Sequence, residues 1–204
     1  MCLEVGGLHW GVESMMQADS FEAVRRGYTD LQEASPTEIL NYFSTIDPTA
    51  EAGHMANIKG ILFEQAVVDE LQSGGLEAAL FEETNHPDSD LFIMDDGEAI
   101  AEFQLKATDS ASYIASTLEE NPDIPIITTS EVAAQFDGND MVIDSGISNS
   151  DLTATVSSTI FGGGGEGEIE DSILESASES LVEAVADATL PIPFSPFWLL
   201  GLPF

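Results

Sequence analysis

The sequence predicts an α/β domain, a small mixed central sheet flanked by helices with helical extensions at both ends. Three observations carry that expectation. Apolar residues recur every three or four positions up to about residue 71, then alternate in short runs between residues 76 and 107, then return to helical spacing after Thr108. The chain also has enough apolar material to close a core: 43% of its 204 residues are hydrophobic, although 38 Asp and Glu stand against 4 Lys and Arg.

Taken in order, SFEAVRRGYTDLQEA places Phe21, Val24, Tyr28 and Leu31 on one helical face. In SPTEILNYFSTI, Ser35, Pro36 and Glu38 form the pattern of a capped helix start. HMANIKGILFEQAVVDEL, residues 54–71, sets Ile58, Ile61, Leu62, Val68 and Leu71 near one face and stops at Ser73-Gly74-Gly75. LEAALFEE reads as a strand. DLFIM and EAIAEFQLKA read as a hairpin about the turn Asp95-Asp96-Gly97. TDSASYIASTLEENPD offers Thr108, Asp109 or Ser110 as helix caps, IPIITT is a strand suited to burial on both faces, and Ser130 opens a short helix through EVAAQF. Residues 54–136 therefore read α-β-β-β-α-β-α.

The remainder divides the chain into a helical extension over residues 1–53, a core over 54–145, and a Gly-rich linker, acidic helix and apolar tail over 146–204. SNSDLTATVSSTI reads as a capped helix and FGGGGEGE as a flexible linker. A helix is expected over residues 168–188, with Ile169, Ile173, Leu181 and Val185 inward. The last fifteen residues, LPIPFSPFWLLGLPF, are apolar but interrupted by four prolines, too short and broken to span a membrane; they either dock on the domain or lead toward a membrane or partner-binding region. Cys2 stands alone, and the start MCLEVGGLHWGVES lacks the basic and apolar regions of an export signal, so a cytoplasmic location is expected.

A formal net charge of −34 repels phosphate backbones and anionic lipid. Nucleic acid remains a feasible partner only at high salt, where the Debye length shrinks to roughly 3 Å at 1 M, or with a basic partner that brings it. The acidity accordingly has two readings, a salt-rich cell interior or a surface for a basic protein. The glycine run at 162–165 is no phosphate loop, because acidic residues follow it where a P-loop has Lys and Ser or Thr. Arg25 and Arg26 read as a pair solvated among acidic neighbours.

In EAIAEFQLKA the pleat sends Ala99, Ala101, Phe103 and Leu105 toward the core and Ile100, Glu102, Gln104 and Lys106 to the other face. Lys106 is the only cation after residue 60 in a chain nearly purged of lysine. Oxygen donors beside it suit a hard cation, and an ammonium there orients a water or offsets a developing negative charge. Asp90, fourteen residues before Gln104, is brought alongside by the hairpin, and Glu64 interrupts an apolar helical run.

Glu64 in GILFEQAVVDEL, Asp90 in HPDSDLFI, and Gln104 and Lys106 in EFQLKA resemble the PD-(D/E)xK, or restriction-endonuclease-like, nuclease superfamily, in its Mrr-like Q-x-K variant. The resemblance covers residues 54–136, and IITTSEVAAQF fits the run after that group's crossover helix. It implies a restriction-endonuclease-like core and a magnesium-dependent endonuclease. Asp90 would be the principal metal ligand, Gln104 would give its carbonyl, Glu64 would ligate or orient, and Lys106 would position the attacking water. Glu102 is a further candidate ligand, compensating for the missing charge of Gln104. Asp88, which follows the literal Pro87, rivals Asp90, and His86 is a possible assistant. The alternative is an inactive acidic module with the same fold that binds a basic partner.

Overall fold

A left-handed pair at one hairpin tip sets the register of the sheet. Asp96 (φ 51°) and Gly97 (φ 82°) turn the chain between β2 (Leu91–Asp95) and β3 (Glu98–Lys106), the conformation a tight two-residue hairpin requires. The computed structural model describes residues 19–81, 89–162 and 173–189, with side chains in the last segment from residue 180 onward.

Five strands lie in the order β1 (Glu77–Leu80), β2, β3, β4 (Ile126–Thr128), β5 (Val142–Asp144). The first two pairings are antiparallel and the last two parallel, so the fold is mixed α/β with β3 central. The crossover from β3 to β4 is α4 (Ala111–Glu120), capped by Ser110, and a single turn, α5 (Ser130–Ala133), leads on toward β5. The α-β-β-β-α-β-α order expected over residues 54–136 is the order observed.

The helix bearing Glu64 is α3, Glu51–Ser73, which buries Ile58, Ile61, Leu62, Phe63, Val67 and Leu71. It stops at Gly74, and Gly75 (φ 91°) takes the left-handed turn that only glycine adopts without strain. Before it, α2 (Pro36–Phe43) begins with the expected capping box of Ser35 and Glu38. The single helix expected from residue 20 to 34 is broken: α1 runs over residues 19–27, Tyr28 is extended (φ −129°, ψ 101°), and a 3-10 turn covers Thr29–Leu31. Gly27 ends the helix, and the Tyr28 ring packs edge-on against Tyr42 and Phe43 instead.

Two helices follow the sheet, α6 (Asn149–Ile160) and α7 (Ile173–Thr189). Leu152, Val156 and Ile160 from α6, and Leu181 and Val185 from α7, join Ala23, Val24, Ile39 and Phe43 from the N-terminal helices in one core with α3 and the sheet. A smaller cluster, Ile114, Ile126 and Val132, fills the other face under α4 and α5. Cys2, most of the glycine run and the apolar tail lie outside the described residues. Among the described residues, no helix is long and apolar enough to cross a membrane.

The start of α6 carries its own anion. The Glu131 carboxylate accepts from Asn149 N (2.8 Å), Ser150 N (3.1 Å) and Ser148 Oγ (2.8 Å). Burial alone would raise its pKa, but these bonds overcome that and hold it below the ordinary 4.5. A depressed carboxylate stabilises the fold above its unfolded pKa and loses that contribution as pH falls through the lower folded value. Glu131→Ala is expected to cost about 1 kcal/mol at neutral pH, measured by urea denaturation, with a smaller difference from the parent chain in acid.

Candidate functional site

The site forms where β2 begins and β3 ends, because antiparallel pairing sets those two termini side by side. Asp90 N donates to Phe103 O at 2.9 Å, fixing the residue just ahead of β2 against the second half of β3. Its Oδ2 then accepts from Leu105 N and from Lys106 Nζ, both at 2.8 Å. The ammonium and the carboxylate are each only partly exposed, so the pair is shielded from full solvent screening. Lys106 is thus turned toward Asp90 and not into open water.

Gln104 is buried, with 3% of its surface exposed. The alternating pattern predicts a polar outer face there, and the structure departs from it. Gln104 pairs in parallel register with Ile126, and that half of the sheet is covered on its second face by α4 and α5. The opposite departure occurs at the hairpin end, where Ala99, expected in the core, is exposed beyond the register shift at Ile93 and Met94. Gln104 Nε2 is buried without a hydrogen-bond partner. An unpaired buried amide is costly, and its oxygen and nitrogen exchange places by a half-turn of the terminal torsion.

Glu64 approaches from α3. Burial pushes its carboxyl above the usual range, Asp90 repels it further, and Arg26 and Lys106 pull it partly back. Arg26 Nη2 stands 4.0 Å from Glu64 Oε2. The expectation that both arginines are solvated holds differently for each: Arg25 binds Glu22 at 2.6 Å and Ala34 O at 3.0 Å, whereas Arg26 faces the site. Nothing in the spacing of the sequence indicates this, since α1 and α3 meet only through tertiary packing.

Glu102 is exposed and its Oε2 accepts from Ser89 Oγ at 2.8 Å. It pairs with Phe92, two residues up the ladder from Asp90. Asp88 and His86 lie outside the described residues. Among the described residues, no three His, Cys, Asp or Glu side chains stand close enough to hold a metal ion, so Asp90, Glu64 and Glu102 do not form a three-carboxylate group.

The donor chemistry nonetheless fits a hard divalent cation. Asp90 receives both of its side-chain bonds on Oδ2 and Glu64 carries a charge that burial and Asp90 disfavour, whereas the unpaired buried atom of Gln104 is its amide nitrogen, a donor and not a ligand. Magnesium needs one or two carboxylates and keeps several waters, so a full protein cage is not required. Comparisons of the chain with family models, curated proteins and solved structures find no match.

Because the folded state binds the Glu64 proton more tightly than the unfolded chain does, stability falls as pH rises from 4.5 through the raised folded value. Glu64→Gln is expected to flatten that part of the profile and to raise the Tm at neutral pH by a few degrees. Thermal melts from acidic to neutral pH, with and without Mg²⁺, check this.

Proposed function

We propose that the chain is a divalent-metal-dependent endonuclease of the PD-(D/E)xK type, hydrolysing phosphodiester bonds at Asp90, Glu64, Gln104 and Lys106. The observation that carries the reading is the Lys106 ammonium held 2.8 Å from Asp90, with Glu64 close enough to feel both charges. Asp90, Gln104 and Glu64 would hold magnesium, with Glu102 as a further donor. Bound there, the ion supplies Lewis-acid polarisation of a phosphoryl oxygen and acidifies a water. Lys106 orients the attacking water through a donated hydrogen bond and offsets negative charge as the phosphorus becomes crowded. Glu64, disfavoured as an anion, accepts hydrogen bonds from that water and restrains its position.

The net charge sets the conditions. Nucleic acid reaches this surface at high ionic strength or with a basic protein that neutralises it, and a cytoplasmic setting supplies both substrate and magnesium. The test is cleavage of single- and double-stranded DNA by the whole chain with Mg²⁺ or Mn²⁺, from low to molar KCl. Metal-dependent cleavage that rises with salt supports the proposal, and no cleavage at any salt refutes it.

One observation favours a second reading. A formal net charge of −34 suits an inactive acidic module that binds a basic protein and carries its apolar tail toward a membrane or assembly. Calorimetry separates the two, because such a module takes up no Mn²⁺ at this site.

A further inference from the structure

The sheet ends at β5, which has no neighbour beyond β4 among the described residues. Pairing with β4 uses Met141 O, which accepts from Ile126 N, and Ser145 N, which donates to Thr128 O. Backbone groups alternate sides along a strand, so those of Val142 and Asp144 point outward. Val142 N donates back to Asn139 O at 3.0 Å. Val142 O and Asp144 N have no hydrogen-bond partner among the described residues, which leaves an acceptor and a donor side by side on an open edge.

A cavity of about 860 Å³ lies against this edge, walled by Ala133 and Phe136 and by Ala184 and Ala188 of α7. Phe136 packs on the smaller apolar cluster and Ala184 on the main core, so the cavity borders both faces of the sheet at its rim. Alanines on these walls leave room that larger apolar side chains would fill. Asp140, Asp144 and Asp187 also line it, so an acidic segment is repelled here and an uncharged one is not.

The chain leaving α7 starts at this place. Ala188 lines the cavity, α7 ends at Thr189, and residues 190–204, outside the described residues, carry no charge. They begin Leu190-Pro191-Ile192-Pro193-Phe194. Proline has no N–H and restrains the residue before it to extended backbone. With a period of two, Leu190, Ile192 and Phe194 present their N–H groups on one side, while Pro191 and Pro193 fall on the other. Such a segment pairs along one side and offers no proline N–H to a further strand on the other, which suits it to end a sheet.

We propose that residues 190–194 close the sheet as a sixth strand, donating an N–H to Val142 O, accepting from Asp144 N and filling the cavity with the Leu190, Ile192 and Phe194 side chains. The occupant of this edge is thus the chain's own tail, and the assignment is independent of the hydrolytic centre.

Amide hydrogen exchange, followed by NMR on the whole chain, tests this. Asp144 N–H should exchange at least about tenfold more slowly in the whole chain than in one ended after Thr189. Gln104 N–H, bonded to Pro125 O within the sheet, should exchange alike in both and reports an intact fold. Ile192→Pro removes an inward N–H and should behave like the truncation, whereas Pro193→Ala, on the outer side, should keep the protection to within about threefold. If the truncated chain does not fold, these two full-length variants decide. Light scattering should find the protected chain monomeric over about a hundredfold range of concentration. The proposal is overturned if Asp144 N–H of the whole chain exchanges like a free peptide amide, or if Pro193→Ala loses protection as fully as Ile192→Pro. Protection that fades on dilution together with a dimer assigns the strand to a second copy, and protection that needs added oligolysine assigns the edge to a basic partner; either result also overturns it.

Discussion

Lys106→Ala is expected to lower metal-dependent cleavage by about a hundred- to a thousandfold, with the fold retained. Among the described residues the lysine is the one ammonium bonded to Asp90. Its loss leaves Asp90 Oδ2 with the Leu105 N–H, so the junction of β2 and β3 keeps its backbone tie. Single-turnover cleavage, paired with circular dichroism and a thermal melt, measures both parts of this expectation. Lys106→Arg should restore little, because a planar guanidinium cannot take the place of a compact, rotating ammonium. Cleavage that persists in Lys106→Ala would remove the lysine from the mechanism.

Asp90 has two tasks, and two substitutions separate them. Asp90→Ala deletes the proposed metal ligand and also strips the Leu105 N–H of its acceptor inside the sheet, which costs about 1–3 kcal/mol. Asp90→Asn keeps an acceptor oxygen for that N–H and loses only the charge. Both variants should lose cleavage by at least the factor expected for Lys106→Ala and show no calorimetric uptake of Mn²⁺, while only the alanine variant should unfold at markedly lower urea. Equal stability of the two would mean that the Asp90 side chain does not support the sheet as described.

Much of this arrangement was readable before any coordinates. The hairpin is legible because Asp95-Asp96-Gly97 is a turn signal between alternating strands, and pairing about that turn brings Asp90 alongside the end of β3. The capping box at Ser35 and the glycine stop after α3 were legible for the same reason, since each depends on neighbours in sequence. What could not be read depends on cover from distant elements. Alternation told which way Gln104 points, but only α4 and α5 decide that this side is buried at residue 104 and open at Ile100. The three-residue strand β5 was too short to show a period, and it exists because β4 offers it a parallel edge. Arg26 was hidden for the same cause, its neighbour Glu64 being 38 residues away on another helix.

The central claim is that Asp90, Gln104, Glu64 and Lys106 form one metal-dependent hydrolytic centre. Anomalous diffraction from crystals soaked in Mn²⁺ tests it most directly. The account predicts a manganese peak bonded to an Asp90 carboxylate oxygen and the Gln104 amide oxygen, with the Lys106 ammonium alongside. A peak elsewhere on the acidic surface, or none at this site at millimolar metal, would contradict it.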